Sequence, residues 1–290
     1  MIIDAHQHFW RPTRGDYGWL TPDLSTIFRD FMPEDLEPLL RKNGIEGTVL
    51  VQAAPTLAET DFLLQIADDT PFVMGVVGWI DFENGDACAD MARLAAHPKL
   101  VGLRPMIQDI ADDKWMLRPE FSPVFEAMVQ HDLTFDALVF PRHLPHLHQL
   151  LIRHPDLRVV IDHAAKPDIA GKQFDDWATH MTALAHETDA YCKMSGLLNQ
   201  AGNDWNASDL APYMAHLFDE FGAQKLIWGS DWPVLTLAAG YEQWWQIAKA
   251  FVDGPSATGR TATDRIFGLN AIQAYKLKMP QKAGTPTFLV

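Results

Sequence analysis

Short apolar runs rich in β-branched residues recur along the chain, and between them apolar positions return every three or four residues. The runs predict eight strands, at residues 2–5, 48–52, 72–78, 101–104, 134–139, 159–162, 191–194 and 226–228. Several are apolar at consecutive positions, as expected of strands covered by helices outside and by packed side chains inside. Phe121, Val124, Phe125, Met128 and Val129 predict one apolar helix stripe, and Phe174, Trp177, Met181 and Leu184 a second. Pro33 and Pro212 are placed in first helical turns, and Gly44 and Gly222 after apolar stripes, where a left-handed cap needs glycine. Eight strands alternating with helices predict an α/β protein, a (β/α)8 TIM barrel, with a doubly wound open sheet as the alternative. No GxGxxG follows the first strand, which argues against a Rossmann domain.

No repeat, low-complexity tract or linker divides the sequence, so residues 1–290 read as one barrel domain. Two regions depart from the alternation. Residues 11–30, together with Trp10, bring Tyr17, Trp19 and Phe28 after the first strand and predict an ordered loop over one barrel mouth. Residues 281–290, with Gly284 and Pro286, read as a loosely docked tail.

Composition narrows the class. Hydrophobic residues are 48% and charged residues 21%, close to the globular average and far from a disordered or collagen-like chain. The 38 acidic against 23 basic side chains leave a formal charge of −15, a field that repels phosphate backbones and anionic lipid, so no nucleic-acid partner and no membrane partner is expected. Cys88 and Cys192 have neither a disulfide framework nor structural-zinc spacing. Met1 runs straight into a short apolar triplet, with no signal-peptide pattern and no run near the roughly 18 apolar residues of a membrane span, so a cytoplasmic protein is expected. Nothing in the sequence specifies an oligomeric state.

In a parallel barrel, chemistry belongs at the C-terminal strand ends. The first strand ends in Asp4-Ala5-His6-Gln7-His8, whose two-residue period points His6 and His8 the same way. The sixth ends in Asp162-His163 and the eighth runs into Gly229-Ser230-Asp231-Trp232-Pro233. Three histidines and an aspartate converging on one rim match the ligand set of zinc or a similar divalent ion, with water completing it. His6, His8, His163 and Asp231 are therefore the candidate metal ligands, and the cofactor expectation is one divalent metal, zinc first, or none.

The phrases Asp4 to Trp10, Val51-Gln52-Ala53, Val77-Gly78-Trp79, Gly102-Leu103-Arg104-Pro105, Asp162-His163 with Lys166-Pro167, Met194-Ser195-Gly196 and Gly229 to Pro233 resemble the amidohydrolase superfamily. Within it they look like the lactonase branch, which includes sugar-lactone hydrolases of L-rhamnose and L-fucose catabolism and 2-pyrone-4,6-dicarboxylate lactonase. The resemblance runs from residue 2 to Asn270-Ala271. Two-metal members carry a carboxylated lysine on strand four and a histidine on strand five. Here strand four ends at Arg104 and His143 lies several residues beyond strand five, so a two-metal centre is not expected.

The resemblance implies hydrolysis of a small-molecule sugar lactone, with Asp231 as general base toward water and later as proton donor to the opened hydroxyl. His6, His8 and His163 would polarise the carbonyl directly or hold the metal that does so. Arg104 is the candidate for a substrate carboxylate or hydroxyl, because guanidinium contacts are bidentate, with a structural salt bridge as its rival. Trp10, Trp79 and Trp232 flank strand ends where indole faces stack on sugar rings, and Gln52, Ser195 and His143 are candidates for hydroxyl contacts. The other readings are a metal-dependent decarboxylase of the same superfamily, a dicarboxylate lactonase, and a barrel that binds sugar acids without catalysis.

Overall fold

The structure, a computed structural model, describes residues 1–254 and 260–279. In chain order it runs β1 (Ile3–Gln7), α1 (Pro33–Asn43), β2 (Gly47–Val51), α2 (Leu57–Asp69), β3 (Val73–Gly78), α3 (Ala87–Ala95), β4 (Leu100–Leu103), α4 (Ser122–Gln130) and β5 (Thr134–Ala137). It continues with α5 (Leu144–Arg153), β6 (Val159–Ile161), α6 (Asp175–Glu187), β7 (Tyr191–Met194), the short α7 (Leu197–Gln200), α8 (Ala207–Lys225), β8 (Leu226–Trp228), α9 (Tyr241–Val252) and the C-terminal helical segments α10 (Arg260–Asp264) and α11 (Asn270–Ala274). All eight strands pair in parallel and in sequence order, and a Gln7–Trp232 bridge brings the last strand's loop back to the first. The chain is a (β/α)8 TIM barrel, not an open sheet. The predicted tail at residues 281–290 lies outside the described residues.

Two apolar clusters build it. The larger joins the outer strand faces to the helices. The smaller fills the barrel interior with Ile3, Ala5, Val49, Val51, Val77, Val160 and Ile227, packed onto Ala271 and Ala274 of α11 and Tyr275 just after it, a segment that plugs the lower end. That floor leaves the opposite, C-terminal mouth for chemistry. No helix among the described residues is long and apolar enough to cross a membrane.

The local signals act largely as predicted. Pro33 opens α1, and Gly44 closes it at φ 68°, ψ 26° with its N–H on Leu40 and Arg41 carbonyls. Three expectations are corrected. Pro212 lies beyond the first turn of α8, because Asn206 caps that helix earlier through Ser208 N–H. Gly222 does have positive φ, but at ψ 176° it kinks the end of α8 without forming a left-handed cap. Val129 is 40% exposed, since α4 begins only at Ser122 and its buried stripe is Val124, Phe125, Ala127 and Met128.

The residues 11–30 do form an ordered cover at the mouth. Trp10 Nε1 donates to the Ile27 and Arg29 carbonyls, and Trp19 Nε1 donates to the Ala53 carbonyl just past β2 at 2.7 Å. Tyr17 is buried within the loop, whereas Phe28 faces solvent.

Candidate active site

Closure of the barrel assembles the site. Asp231 N–H donates to the His6 carbonyl and His8 N–H to the Trp232 carbonyl, both at 2.8 Å, so the end of β8 is laced to the end of β1. Asp4 reinforces the seam: its carboxylate accepts from His6 N–H, Ser230 N–H and the Tyr241 hydroxyl of α9. Asp4 thus faces the helices although it shares sequence parity with His6, because the β1–β2 register shifts between Asp4 and Gln7. Gly229 allows the approach, since a Cβ there would stand 2.7 Å from the His6 Cβ.

His163 arrives on a different device. His163, Ala164, Ala165 and Lys166 take consecutive left-handed conformations, with φ between 50° and 58°. Each such residue costs about 1–2 kcal/mol, and the turn aims both His163 and Lys166 into the mouth. Opposite it, Gly196 leaves room for the imidazole, because a Cβ would lie 2.7 Å from His163 Nδ1.

The four predicted groups meet at short range. His6 Nε2 and His8 Nε2 are 3.2 Å apart, and Asp231 Oδ1 lies 3.3 Å from His8 Nε2, 3.7 Å from His6 Nε2 and 3.8 Å from His163 Nε2. The orientations are set from behind: His8 Nδ1 lies 2.7 Å from the Val51 carbonyl and His163 Nδ1 2.8 Å from the Ser195 hydroxyl. Ligand atoms of His6, His163 and Asp231 fall within 4.8 Å of one another, and His8 Nε2 adds a fourth beside them. His6, His163 and Asp231 are close enough to share one small divalent ion, with His8 beside two of them.

Burial governs the charge states. It pushes His163 down to about 4, against the pull of Asp231 and Asp162. Burial and the Lys193 ammonium hold His6 well below the ordinary imidazole value, and burial also lowers His8. Burial opposes ionisation of Asp231, but the surrounding His163, His8 and His6 outweigh it and keep the carboxyl far below the usual range. At neutral pH the site presents one carboxylate among neutral imidazoles.

Beneath it lies a buried ionic floor. Lys193 of β7 places Nζ 2.6 Å from Asp136 of β5, 2.8 Å from Asp162 and 3.1 Å from His6 Nδ1. Arg104 donates to Asp162 at 3.1 Å and to the Gln52 carbonyl, and Tyr275 donates its hydroxyl to Asp136. Arg104 therefore makes the structural salt bridge that was the rival expectation, and it also lines the pocket.

The pocket, about 170 Å³, is bounded by His8, His163, Asp231 and Arg104 below and by Trp19, Met106, Gln108, Asp109, Leu138, Lys166 and Val234 around the rim. The other expected contact residues stand behind that wall. Trp10 is wholly buried with its N–H taken by the covering loop, and its ring stacks on His8 at 6.1 Å. Trp232 packs edge-on against Phe9 and Phe31, and the Trp79 backbone is tied to the Thr60 hydroxyl. Gln52 donates to the Arg104 carbonyl, Ser195 holds His163, and buried His143 accepts from Phe140 N–H. None of the six lines the cavity; Trp10, Gln52 and Ser195 brace residues that do, and the indole at the rim is Trp19. Lys166, Gln108 and Asp109, to which sequence reasoning gave no role, line the rim, where Lys166 donates to the Gln108 side chain at 2.5 Å.

An eight-stranded barrel with this His-x-His, His and Asp rim is an amidohydrolase arrangement; residues 3–277 match the amidohydrolase family, and the chain belongs to it. It is 47% identical to an L-fucono-1,5-lactonase of Burkholderia ambifaria, over 96% of each chain. It is 34% identical to an L-fucono-1,5-lactonase of Burkholderia multivorans, over 97% of this chain and 98% of that one. Among solved structures, an amidohydrolase from Burkholderia multivorans with bound zinc superposes with a TM-score of 0.87 at 32% identity, covering 96% of this chain and 100% of that one.

Proposed function

We propose that this protein hydrolyses a sugar-derived lactone of the L-fucono-1,5-lactone kind to the open sugar acid. The observation that carries the reading is the Asp231 carboxyl oxygen held 3.3 to 3.8 Å from three imidazoles at the barrel mouth, in a chain 47% identical to an L-fucono-1,5-lactonase. Asp231 takes a proton from the attacking water and returns it to the ring oxygen as the C–O bond opens. His163, whose Nδ1 lies 2.8 Å from the Ser195 hydroxyl, presents Nε2–H to the carbonyl oxygen as charge develops on it. Lys166, Gln108 and Asp109 supply the hydrogen bonds that hydroxyls of the substrate require, and Met106, Leu138 and Val234 supply an apolar wall.

His6, His8, His163 and Asp231 would hold a divalent ion, zinc first; bound there, it would polarise the carbonyl and acidify the attacking water. A dicarboxylate substrate is not favoured, because Arg104, the single arginine lining the pocket among the described residues, is already paired with Asp162. The direct test is acid release, followed with a pH indicator, from a panel of L- and D-sugar 1,4- and 1,5-lactones, with and without chelator. Asp231→Asn is expected to lower kcat/KM by about a thousandfold on the best substrate; a variant that keeps full activity, or a parent inactive on every lactone, overturns the reading.

A further inference from the structure

Trp19 is the one indole among the described residues that line the pocket, and several contacts fix it there. It holds the third position of the turn from Tyr17 to Leu20, which Leu20 N–H closes on the Tyr17 carbonyl at 3.1 Å, and both end residues are buried. The loop carrying that turn is tied to the start of α2, where the Thr56 hydroxyl donates to Asp16 at 2.8 Å and Arg14 donates to the same carboxylate at 2.7 Å. Trp19 Nε1 then donates to the Ala53 carbonyl at 2.7 Å, and Ala53 N–H is itself held by Glu59. The polar edge of the indole is thus pinned to the turn after β2.

That bond decides what the side chain can offer. An indole has one polar hydrogen and no acceptor, so with Nε1–H engaged by Ala53 only ring carbon is left for a ligand. Trp10 crosses Trp19 at 83° with centroids 5.5 Å apart, an edge-to-face contact that engages at most one face. Trp10 is wholly buried, whereas Trp19 keeps accessible ring surface at the pocket. Across the barrel from β2, on the loops after β4 and β6, stand the polar groups Gln108, Asp109 and Lys166. A flat apolar wall facing a polar one matches a sugar ring, whose hydroxyls project from its rim while its C–H bonds present apolar faces.

Resting on the reading of this site as that of a sugar-lactone hydrolase, we infer that Trp19 is the stacking platform for the closed ring and that it separates substrate from product. Stacking needs a ring whose C–H bonds share one face. Breaking the ring C–O bond leaves a flexible chain that has no such face and would lose chain entropy to imitate one. The hydrogen bonds of Lys166, Gln108 and Asp109 serve ring and chain alike. Trp19 is therefore the contact whose loss weakens the lactone and spares the acid.

The experiment measures binding without turnover, by calorimetry, with 1,5-anhydro-L-fucitol as the closed-ring probe and L-fuconate as the open-chain probe. Trp19→Leu keeps apolar bulk and has no flat face; it is expected to raise the Kd of the ring probe about five- to tenfold. Trp19→Phe keeps a flat ring and loses the Ala53 hydrogen bond; it should raise that Kd less than about threefold. The Kd of the open chain should move less than about twofold in either variant. An unchanged Kd for the ring probe in Trp19→Leu, equal losses in the two variants, or equal weakening of ring and chain overturns the inference. The parent alone gives a second reading whichever variant folds: protons on the ring of the bound anhydro sugar should move upfield in the ring current of the indole, and unshifted protons overturn the inference. Neither measurement uses a lactone, so absent turnover, which overturns the lactonase reading, is distinguishable from ring binding that ignores Trp19.

Discussion

Glu59 shows how a single buried carboxyl supports the mouth from outside. It sits on α2 and accepts from Ala53 N–H at 3.0 Å and Ala54 N–H at 2.5 Å, fixing the turn after β2 on which Ala53 lines the pocket. Burial raises its pKa from 4.5 to about 8, more than those two hydrogen bonds lower it. The folded chain therefore keeps this proton over a range where the unfolded chain has lost it. Stability contributed at this position is present below about pH 4.5 and declines as pH rises through about 8. Glu59→Gln, which keeps an acceptor and cannot ionise, should gain stability relative to the parent as pH goes from 5 to 8, read as the difference in denaturant midpoints at each pH; a constant difference would place the ionised form in the fold. The same scale shows what the sequence discloses about a site. His6, His8, His163 and Asp231 were legible because strand ends of a parallel barrel share one rim. Trp10, Trp79 and Trp232 were not, because an indole beside a strand end can turn to the loop or the core as readily as to the cavity. Lys193 and Asp136 did leave a signal, as charged residues inside strands buried on both faces, where charge is rare unless paired.

At the scale of elements, the strands were readable because doubly covered strands carry continuous apolar runs, and β7 and β8 match the predicted ranges to the residue. The turn from His163 to Lys166 was not readable, since four non-glycine residues at positive φ contradict local preference and are held there by tertiary packing. Ala164 and Ala165 are wholly buried, so the turn has neighbours that over-determine it. Lys172 takes the same left-handed conformation at φ 55° but is exposed and outside the pocket. Lys172→Gly should raise stability by about 0.5–1 kcal/mol in chemical denaturation with no change in kcat or KM. Ala164→Gly should gain nothing, because the lost methyl packing, about 0.8 kcal/mol, cancels the relief.

For the whole molecule, charge is arranged as an acidic outer layer around an inner layer of mixed sign. The chain carries a formal −15, yet the cations Arg104 and Lys166 line the pocket and Lys193 sits beneath it. Exposed charges are screened by salt within about 10 Å at 0.1 M, whereas buried groups are screened much less. Raising ionic strength should therefore leave the KM of an uncharged lactone nearly constant while tightening inhibition by the sugar-acid product several-fold, as inhibition constants at about 0.01 and 0.5 M salt would show; salt-independent product inhibition would mean that the outer layer has no part in release. Lactone opening turns a neutral ring into an anion inside that mixed inner layer. Each turnover thus ends with a species the surrounding solvent face repels, so the acidic exterior works as a one-way valve for charge, indifferent to what enters and set against the return of what leaves.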